Sequence, residues 1–281
     1  MGLGSTAWQA LYCANGRTSQ AQIQNTGSRC RGRCRKSWSN VKKFKQGDAV
    51  FGDLCNSGWG GFAEYVCSNE KALTLKPSGV PFENAAAVPQ AGVMAMQGIC
   101  DMRALRAGDK VLINGAGGGV GTYAIQLAKL YGAEVTGVDH ASKIGLMKSL
   151  GADHVIDYNR QDFITNGIGY DLILDVTARR SIFDYRKALS AVGMYVVIGG
   201  KMSTIFQFML LGPLISSAGN KKMKILVHEP NKNLSSLIGL VESSKIKSII
   251  HRCYSLEEVP LALKCLGDGN AFGKVVIQVA S

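Results

Sequence analysis

A glycine-rich turn between an apolar run and a helical pattern is the feature of this sequence best suited to chemistry. The turn spans residues 116–121 with the spacing Ala-x-Gly-x-x-Gly. A strand that enters a helix through such a turn points backbone N–H groups and the positive end of the helix dipole at an anion. Gly118 lets a diphosphate approach the backbone, and Gly121 lets the helix pack against the strand. The spacing therefore predicts dinucleotide binding by Gly118, Gly119, Val120 and Gly121.

An acidic residue follows where contact with a ribose is expected. Asp139 ends the next apolar segment, residues 134–139, about 20 residues after Gly118. A carboxylate there accepts hydrogen bonds from the ribose hydroxyls of NAD and repels the extra phosphate of NADP. The alternative is a glycine-rich turn in an unrelated α/β unit. The strand, the helix and the acid together argue against that alternative.

The surrounding sequence predicts the sheet that positions this turn. Apolar strands are expected at 154–157, 170–175 and 194–198, and crossover helices at 143–150 and 181–189. Strands of this apolar continuity are buried on both faces, which is typical of a doubly wound parallel sheet. Short strands without helices between them are expected earlier, at 48–52, 61–66 and 72–75. The predicted fold class is α/β, with a separate β-rich domain.

Several further motifs belong to one known pattern. They are residues 44–52, 60–65, 85–89, 151–158, 196–200 and 273–276. With these motifs and the glycine turn, the chain from Asn40 onward resembles the zinc-independent medium-chain dehydrogenase/reductase family. The resemblance is closest to its branch of quinone oxidoreductases and NAD(P)H-dependent alkenal/enone reductases.

The resemblance implies both a domain organisation and a reaction. It implies a split, GroES-like catalytic domain at 41–93 and 229–281, and a Rossmann domain that binds NAD(P) at 94–228. The implied reaction is metal-independent hydride transfer to a quinone or an α,β-unsaturated carbonyl compound. No catalytic side chain can be named, because relatives place such groups in the N-terminal part of the catalytic domain. A non-catalytic dinucleotide-binding remnant is the alternative function.

The resemblance also implies further cofactor contacts. Lys143 and Tyr158 match positions around the adenosine 2′-phosphate, Gly199 and Gly200 match the backbone beside the nicotinamide, and Lys274 lies near the same cofactor. Lys143 could instead be a solvated helix residue paired with Asp139, and Tyr158 a core aromatic at a strand end. These positions favour NADP(H) over NAD(H), whereas Asp139 favours NAD(H).

The eight cysteines do not predict a metal site. No Cys-x-x-Cys is present, and the four-cysteine cluster of zinc-dependent relatives is missing. Cys30 and Cys34 have the spacing of two ligands on a helix, but the neighbouring arginines would repel a cation. Cys55, Cys67, Cys100, Cys253 and Cys265 are interpreted as buried apolar residues in a reducing compartment.

Charge and hydropathy exclude two further classes of function. The formal net charge is +12, but residues 1–47 contain nine of the 32 basic residues and no acid. The rest of the chain is nearly neutral, which does not favour nucleic-acid binding. No apolar run reaches the roughly 18 residues of a membrane span. We expect a cytoplasmic protein, with organelle import as an alternative, and inherit from the family the expectation of a homodimer.

The first forty residues match neither the family nor a regular element, because neither apolar period is sustained. Residues 29–35 are all Arg, Cys or Gly, whose codons share G as second base. Read one base later, these codons yield the small and acidic residues that the family has there. We therefore hypothesise that residues 1–38 are translated out of frame and that the catalytic domain is incomplete at its N-terminus. An organellar transit peptide is the competing interpretation.

Overall fold

The computed structural model describes residues 20–24, 30–37, 41–58 and 60–279. Its strands are β1 Gln20–Gln24, β2 Cys30–Ser37, β3 Ala49–Gly52, β4 Tyr65–Asn69, β5 Thr74–Leu75, β6 Lys110–Asn114, β7 Glu134–Asp139, β8 His154–Asp157, β9 Tyr170–Asp175, β10 Leu189–Val197, β11 Lys222–Ile225, β12 Ile250–Ser255 and β13 Lys274–Gln278. Its α-helices are α1 Phe82–Ala87, α2 Ala91–Met96, α3 Gly119–Leu130, α4 Ile144–Ser149, α5 Ile182–Ala188, α6 Met202–Ser217, α7 Leu234–Glu242 and α8 Val259–Gly267.

The described residues form two compact units. Met94–Glu229 and Lys245–Lys247 make up the first, which we call the central unit. The second, the flanking unit, contains the described residues up to Val93 together with Pro230–Ser244 and the residues from Ser248 onward.

The central unit is built on a six-stranded sheet in the order β11-β10-β9-β6-β7-β8. Every neighbouring pair is parallel. After β6 the chain adds β7 and then β8 on one side of it, and β9 follows on the other side of β6. The predicted doubly wound parallel sheet is therefore confirmed. In such sheets ligands bind outside the carboxyl ends of the strands where the order reverses, here between β6 and β9.

Most elements of the central unit follow the predicted pattern, but helix α6 was not predicted and three other elements differ. Helix α3 begins at Gly119 and not at residue 122, and β10 begins at Leu189, immediately after α5, and not at residue 194. The edge strand β11 was not predicted, because its Lys-Met-Lys-Ile sequence is short and half charged. Only Met223 in that strand is fully buried, which is the usual pattern for a strand at a sheet edge.

The flanking unit contains a five-stranded sheet in the order β4-β1-β2-β3-β5. All its strand pairs are antiparallel. A small core of Phe44, Val50, Leu54, Val66 and Leu73 packs within this unit. Strand β4 starts at Tyr65 and not at residue 61, because Phe62 has a φ of +59° and interrupts the extended backbone. Strands β12 and β13 form a separate parallel pair.

Two strands lie where the sequence pattern predicted no regular element. Within β2, Gly32 and Cys34 are buried while Arg33 is exposed. Small residues thus alternate with arginines, and this is a period of two without large apolar side chains. The backbone holds the strand: Cys34 N–H donates to the Asp48 carbonyl at 2.9 Å. Residues 1–19, 25–29 and 38–40 lie outside the described residues, so the out-of-frame interpretation stays a hypothesis.

A buried carboxyl joins three neighbouring strands of the central sheet, β10, β9 and β6. Asp175 ends β9 and is fully buried. Its Oδ1 accepts from Asn114 Nδ2 at 2.8 Å and from Thr177 N–H at 2.9 Å, and its Oδ2 accepts from the Tyr195 hydroxyl at 2.7 Å. Burial raises the pKa of Asp175, although these donors favour its charged form. Burial and the charge of Asp175 also raise the pKa of Tyr185 to about 12.

We predict that Asp175→Asn reduces the loss of folding stability that occurs as pH rises. A carboxyl whose pKa is raised by folding stabilises the folded state fully at low pH, and that stability is lost as pH rises through the folded pKa. Asparagine does not titrate, and its amide still offers an oxygen to Asn114 and Thr177. Relative to wild type, the variant should therefore gain stability between pH 4 and pH 8. Urea unfolding at both pH values measures the difference.

Asp184→Asn is the control, and its stability relative to wild type should change with pH in the opposite direction. Hydrogen bonds from Ser181 and Lys187 lower the pKa of Asp184, so its contribution to stability exists above its unfolded pKa and is lost as pH falls. Compared between pH 2 and pH 5, this variant should lose stability relative to wild type as pH rises, because the pKa of Asp184 lies below 4 in the folded state as well as the unfolded state. The same trend in both variants would contradict the assigned pKa direction of Asp175.

Candidate functional site

The glycine turn lies at the carboxyl end of β6, beside the reversal of strand order. Gly115 has a φ of +83°, and its carbonyl accepts from Gly118 N–H at 3.2 Å. Gly118 is the extended residue before α3, and no side chain caps the helix. The first turn of α3 also contains no acidic residue. Its N–H groups, which have no partner within the helix, are therefore available to an anion.

The glycines of the turn differ in whether a side chain would meet the protein or open space. A Cβ on Gly121 would lie 2.5 Å from the Cα of Ala116 and closer still to the Gly115 carbonyl. A Cβ on Gly117 would lie 2.7 Å from Cβ and Cδ of Lys143. By contrast, a Cβ on Gly118 would meet only the Gly115 carbonyl, at 3.3 Å. Gly121 and Gly117 are closed against the protein, while Gly118 faces open space that a diphosphate can fill.

Asp139 ends β7, as the sequence predicted. Its carboxylate also holds the glycine turn through hydrogen bonds. Its Oδ2 accepts from Gly117 N–H at 2.9 Å, and its Oδ1 accepts from His140 N–H at 2.8 Å. The ammonium of Lys143 lies 3.5 Å from the same Oδ1. Both side chains belong to residues that are only 8% exposed. The hydrogen bond between Asp139 and Gly117 was not anticipated, because a ribose contact alone explained an acid at this spacing.

Lys143 and Tyr158 both contact Asp139. The ion pair of Lys143 with Asp139 matches the alternative interpretation of that lysine, except that the pair is buried and not solvated. Tyr158 follows β8, and its N–H donates to the Asp139 carbonyl at 3.3 Å. Its side chain is 54% exposed, with its ring 6.1 Å from that of His140. The interpretation of Tyr158 as a core aromatic is therefore wrong.

Gly199 and Gly200 follow β10 and run beside the loop that follows β9. Ala178 N–H donates to the Gly199 carbonyl, and Lys201 N–H donates to the Ala178 carbonyl, both at 2.9 Å. A Cβ on Gly200 would lie 2.8 Å from the Cβ of Ala178. These glycines lie at the same carboxyl edge of the sheet as the glycine turn. Lys274 belongs to the flanking unit, where its N–H donates to the Ile249 carbonyl at 2.8 Å.

The cysteines depart from the uniform burial that was expected. Cys34 is buried, Cys55, Cys100 and Cys265 are half-buried, and Cys253 is exposed. Cys67 is disulfide-bonded. The interpretation as buried free thiols is therefore wrong for Cys253 and Cys67. In the part of the chain that the structure describes, no group of three or more His, Cys, Asp or Glu residues is placed to hold a metal ion.

None of the described helices is both long and apolar enough to cross a membrane.

Sequence comparison identifies relatives over most of the chain. Residues 150–277 match the family model described as zinc-binding dehydrogenase. The chloroplast envelope quinone oxidoreductase homolog of Arabidopsis thaliana is 32% identical over 249 residues, which are 85% of this chain and 75% of that protein. The NADPH-dependent alkenal/one oxidoreductase of the same plant is 30% identical over 252 residues, covering 86% of this chain and 60% of that protein.

Structural comparison agrees with the sequence. The quinone oxidoreductase of Coxiella burnetii superposes with a TM-score of 0.81 at 27% identity, covering 99% of this chain and 84% of that one. The strand order, the glycine turn and these relatives lead to one assignment. The chain belongs to the medium-chain dehydrogenase/reductase family, in its quinone oxidoreductase-like branch.

Proposed function

We propose that this protein is an NAD(P)H-dependent, metal-independent reductase that transfers hydride to a quinone or to an α,β-unsaturated carbonyl compound. The observation that carries the proposal is the uncapped first turn of α3 behind Gly118, at the reversal of strand order, in a chain of this family. The names of its relatives support both substrate classes. Metal independence is proposed because neither the sequence motifs nor the described residues supply a set of ligands.

Different residues of the central unit would contact different parts of a nicotinamide cofactor. The N–H groups of Gly119, Val120 and Gly121 would bind the diphosphate, because they open the helix and no side chain covers them. The backbone at Gly199 and Gly200 would support the nicotinamide ring, since no side chain separates a ligand from it there. When bound, the cofactor supplies the hydride, and the protein orients it and limits its contact with water.

A preference for NADPH over NADH would come from the surroundings of Asp139. A free carboxylate at this place repels a 2′-phosphate. Here its two oxygens already accept from backbone N–H groups, and Lys143 offsets its charge. The exposed hydroxyl of Tyr158 on the same edge offers a donor to a phosphate oxygen. We therefore assign Lys143 and Tyr158 to recognition of the 2′-phosphate and Asp139 to support of the turn.

Turnover by the purified chain tests the proposed reaction. We expect NADPH oxidation, followed by nicotinamide absorbance, with a water-soluble benzoquinone and with but-3-en-2-one. Butan-2-one should not react, because it lacks the conjugated carbon that accepts hydride. Activity should survive dialysis against a chelator. Nucleotide binding without oxidation under any of these conditions would overturn the reductase proposal in favour of a binding protein.

Gly121→Val should abolish most nucleotide affinity while leaving the protein folded. The branched side chain would displace the first turn of α3 from the Gly115–Ala116 backbone and so move the N–H groups that face the diphosphate. We expect a loss on the order of a hundredfold in the affinity for NADPH and NADH alike, measured by nicotinamide fluorescence. Gly239→Val, at a helical glycine with open space around it, is the control. Unchanged affinity in Gly121→Val would exclude this turn as the diphosphate site.

Lys143→Met should weaken the binding of NADPH more than the binding of NADH. Methionine keeps an apolar stem over Gly117 but removes the ammonium, so the buried charge of Asp139 is no longer offset. The Kd for NADPH should rise on the order of tenfold, and that for NADH much less. Lys148→Met, at an exposed lysine of α4, should change neither value. Equal weakening of both nucleotides would show that Lys143 does not recognise the 2′-phosphate.

A further inference from the structure

A cavity lies beside β8, the last strand at one edge of the central sheet. Its volume is 690 Å³, and eight of its eleven lining residues are polar or charged. Strand β8 forms one wall and residues 161–168 form the other, so we call it the β8 cavity. None of the residues that we assign to the cofactor lines it. Pockets that hold small ligands have volumes of roughly 300–1,000 Å³.

The backbone of β8 offers an N–H and a carbonyl to this cavity. Tyr158 N–H donates to the Asp139 carbonyl of β7 at 3.3 Å, whereas the Asp157 carbonyl accepts from Gln161 N–H at 3.0 Å on the opposite side. Alternate residues of a strand point their backbone groups to opposite sides, so the N–H and carbonyl of Val155 also point away from β7. In the described part of the chain neither a strand nor the facing loop pairs with them.

A buried hydroxyl forms part of the cavity floor. Thr136, in the middle of β7, is 3% exposed and lines the cavity. None of the hydrogen bonds among the described residues involves its hydroxyl. A buried hydroxyl without a partner destabilises the folded protein, and an apolar group of the same shape avoids that cost. The hydroxyl is therefore placed for a partner that the described residues do not supply.

The charge left over at the β8 cavity is positive. Asp153 accepts from the Lys129 ammonium at 2.7 Å, and Asp162 accepts from the Arg180 guanidinium at 2.7 Å. Both lining carboxylates are thus paired with cations. Lys148 also lines the cavity, is exposed and makes no ion pair within the described residues. It belongs to the last turn of α4, which a short turn joins to the amino end of β8.

These features fit the carboxyl-terminal end of a peptide chain. One residue of an antiparallel strand bonds to both backbone groups of the residue opposite, and sheet edges recognise extended peptides in this way. An antiparallel peptide has its carboxyl end at the amino end of β8, where Lys148 can pair with the carboxylate. Its last residue lies opposite His154. Because His154 is paired with Thr136 across the sheet, the last side chain of the peptide shares their face.

We propose that the β8 cavity binds the carboxyl-terminal residues of a peptide, which adds to β8 as an antiparallel strand. Val155 pairs with the penultimate residue through its N–H and its carbonyl. Lys148 holds the terminal carboxylate, and the Thr136 hydroxyl bonds to a polar terminal side chain. Strand β8 has four residues, so the contact extends over about three residues of the ligand. This site is independent of the proposed reductase activity.

Titration of the ¹⁵N-labelled full chain with acetyl-Ala-Val-Ser tests the proposal, with the Val155 amide resonance as the readout. That resonance should shift, with a Kd in the millimolar range of a ligand this short. The carboxamide of the peptide should bind on the order of tenfold more weakly, because it lacks the charge that Lys148 pairs with. N-methylation of its valine should weaken binding at least as much, because it removes the N–H that the Val155 carbonyl accepts.

Two substitutions connect binding to the cavity. Lys148→Met should weaken acetyl-Ala-Val-Ser on the order of tenfold and its carboxamide hardly at all. Lys264→Met, at an exposed lysine in the last turn of α8, is the matched control and should bind as wild type does. Thr136→Val should weaken acetyl-Ala-Val-Ser but not acetyl-Ala-Val-Ala. It should not lower the urea midpoint of unfolding, because the hydroxyl has no partner among the described residues.

Three results would overturn the proposal. One is a Val155 resonance that does not move at about 10 mM acetyl-Ala-Val-Ser. Another is equal binding of the peptide and its N-methylated form, which would assign the cavity to small carboxylates and not to an added strand. The third is equal binding by wild type and Lys148→Met. Unchanged nucleotide affinity in each variant reports an intact central unit, whatever its turnover.

Discussion

The close approach of α3 to the end of β6 is the constraint on which the rest of the central unit depends. The first turn of the helix passes the Gly115 carbonyl and the Ala116 backbone at a distance that admits no side chain. Because the helix begins so close to the strand, its free N–H groups face the carboxyl edge of the sheet. A larger residue at 121 would move the helix as a whole. The single glycine at 121 thus fixes where the N–H groups of the first turn of α3 lie at this edge.

Asp139 and Lys143 extend this constraint to the second strand. A buried ion pair loses hydration on both sides, and its attraction repays that cost only where hydrogen bonds satisfy the remaining atoms. Asp139 meets this condition through the N–H groups of Gly117 and His140. The lysine stem in turn covers Gly117. The same carboxylate therefore supports the glycine turn and keeps a cation beside it, so that an acid at this position does not by itself indicate NAD.

Local signals in the sequence were enough for the parts of the site that depend on neighbours along the chain. The glycine spacing, most of the apolar strands and the position of Asp139 are all features of short segments, and the structure has them where they were predicted. The exceptions are the starts of β4 and β10 and the unpredicted strand β11. The Asp175 network could not be found in this way, since Asn114, Asp175 and Tyr195 meet only when β6, β9 and β10 are adjacent. Strand β2 was missed for a different reason. Small residues, and not large apolar ones, alternate with arginines along it, and the backbone hydrogen bonds that hold it in the sheet leave no signal in the sequence.

The central unit carries positive charge in two settings, which differ in how far they are buried. At the carboxyl edge of the sheet, oriented N–H groups and a lysine that is 8% exposed act at short range and are little affected by salt. Around α6, exposed lysines act through solvent, where ionic strength of about 0.1 M limits their reach to roughly 10 Å. The sequence shows only that both regions are basic or glycine-rich. Burial decides how each region can act on a ligand, because the strength of desolvated donors depends on geometry, whereas that of solvated cations depends mainly on proximity.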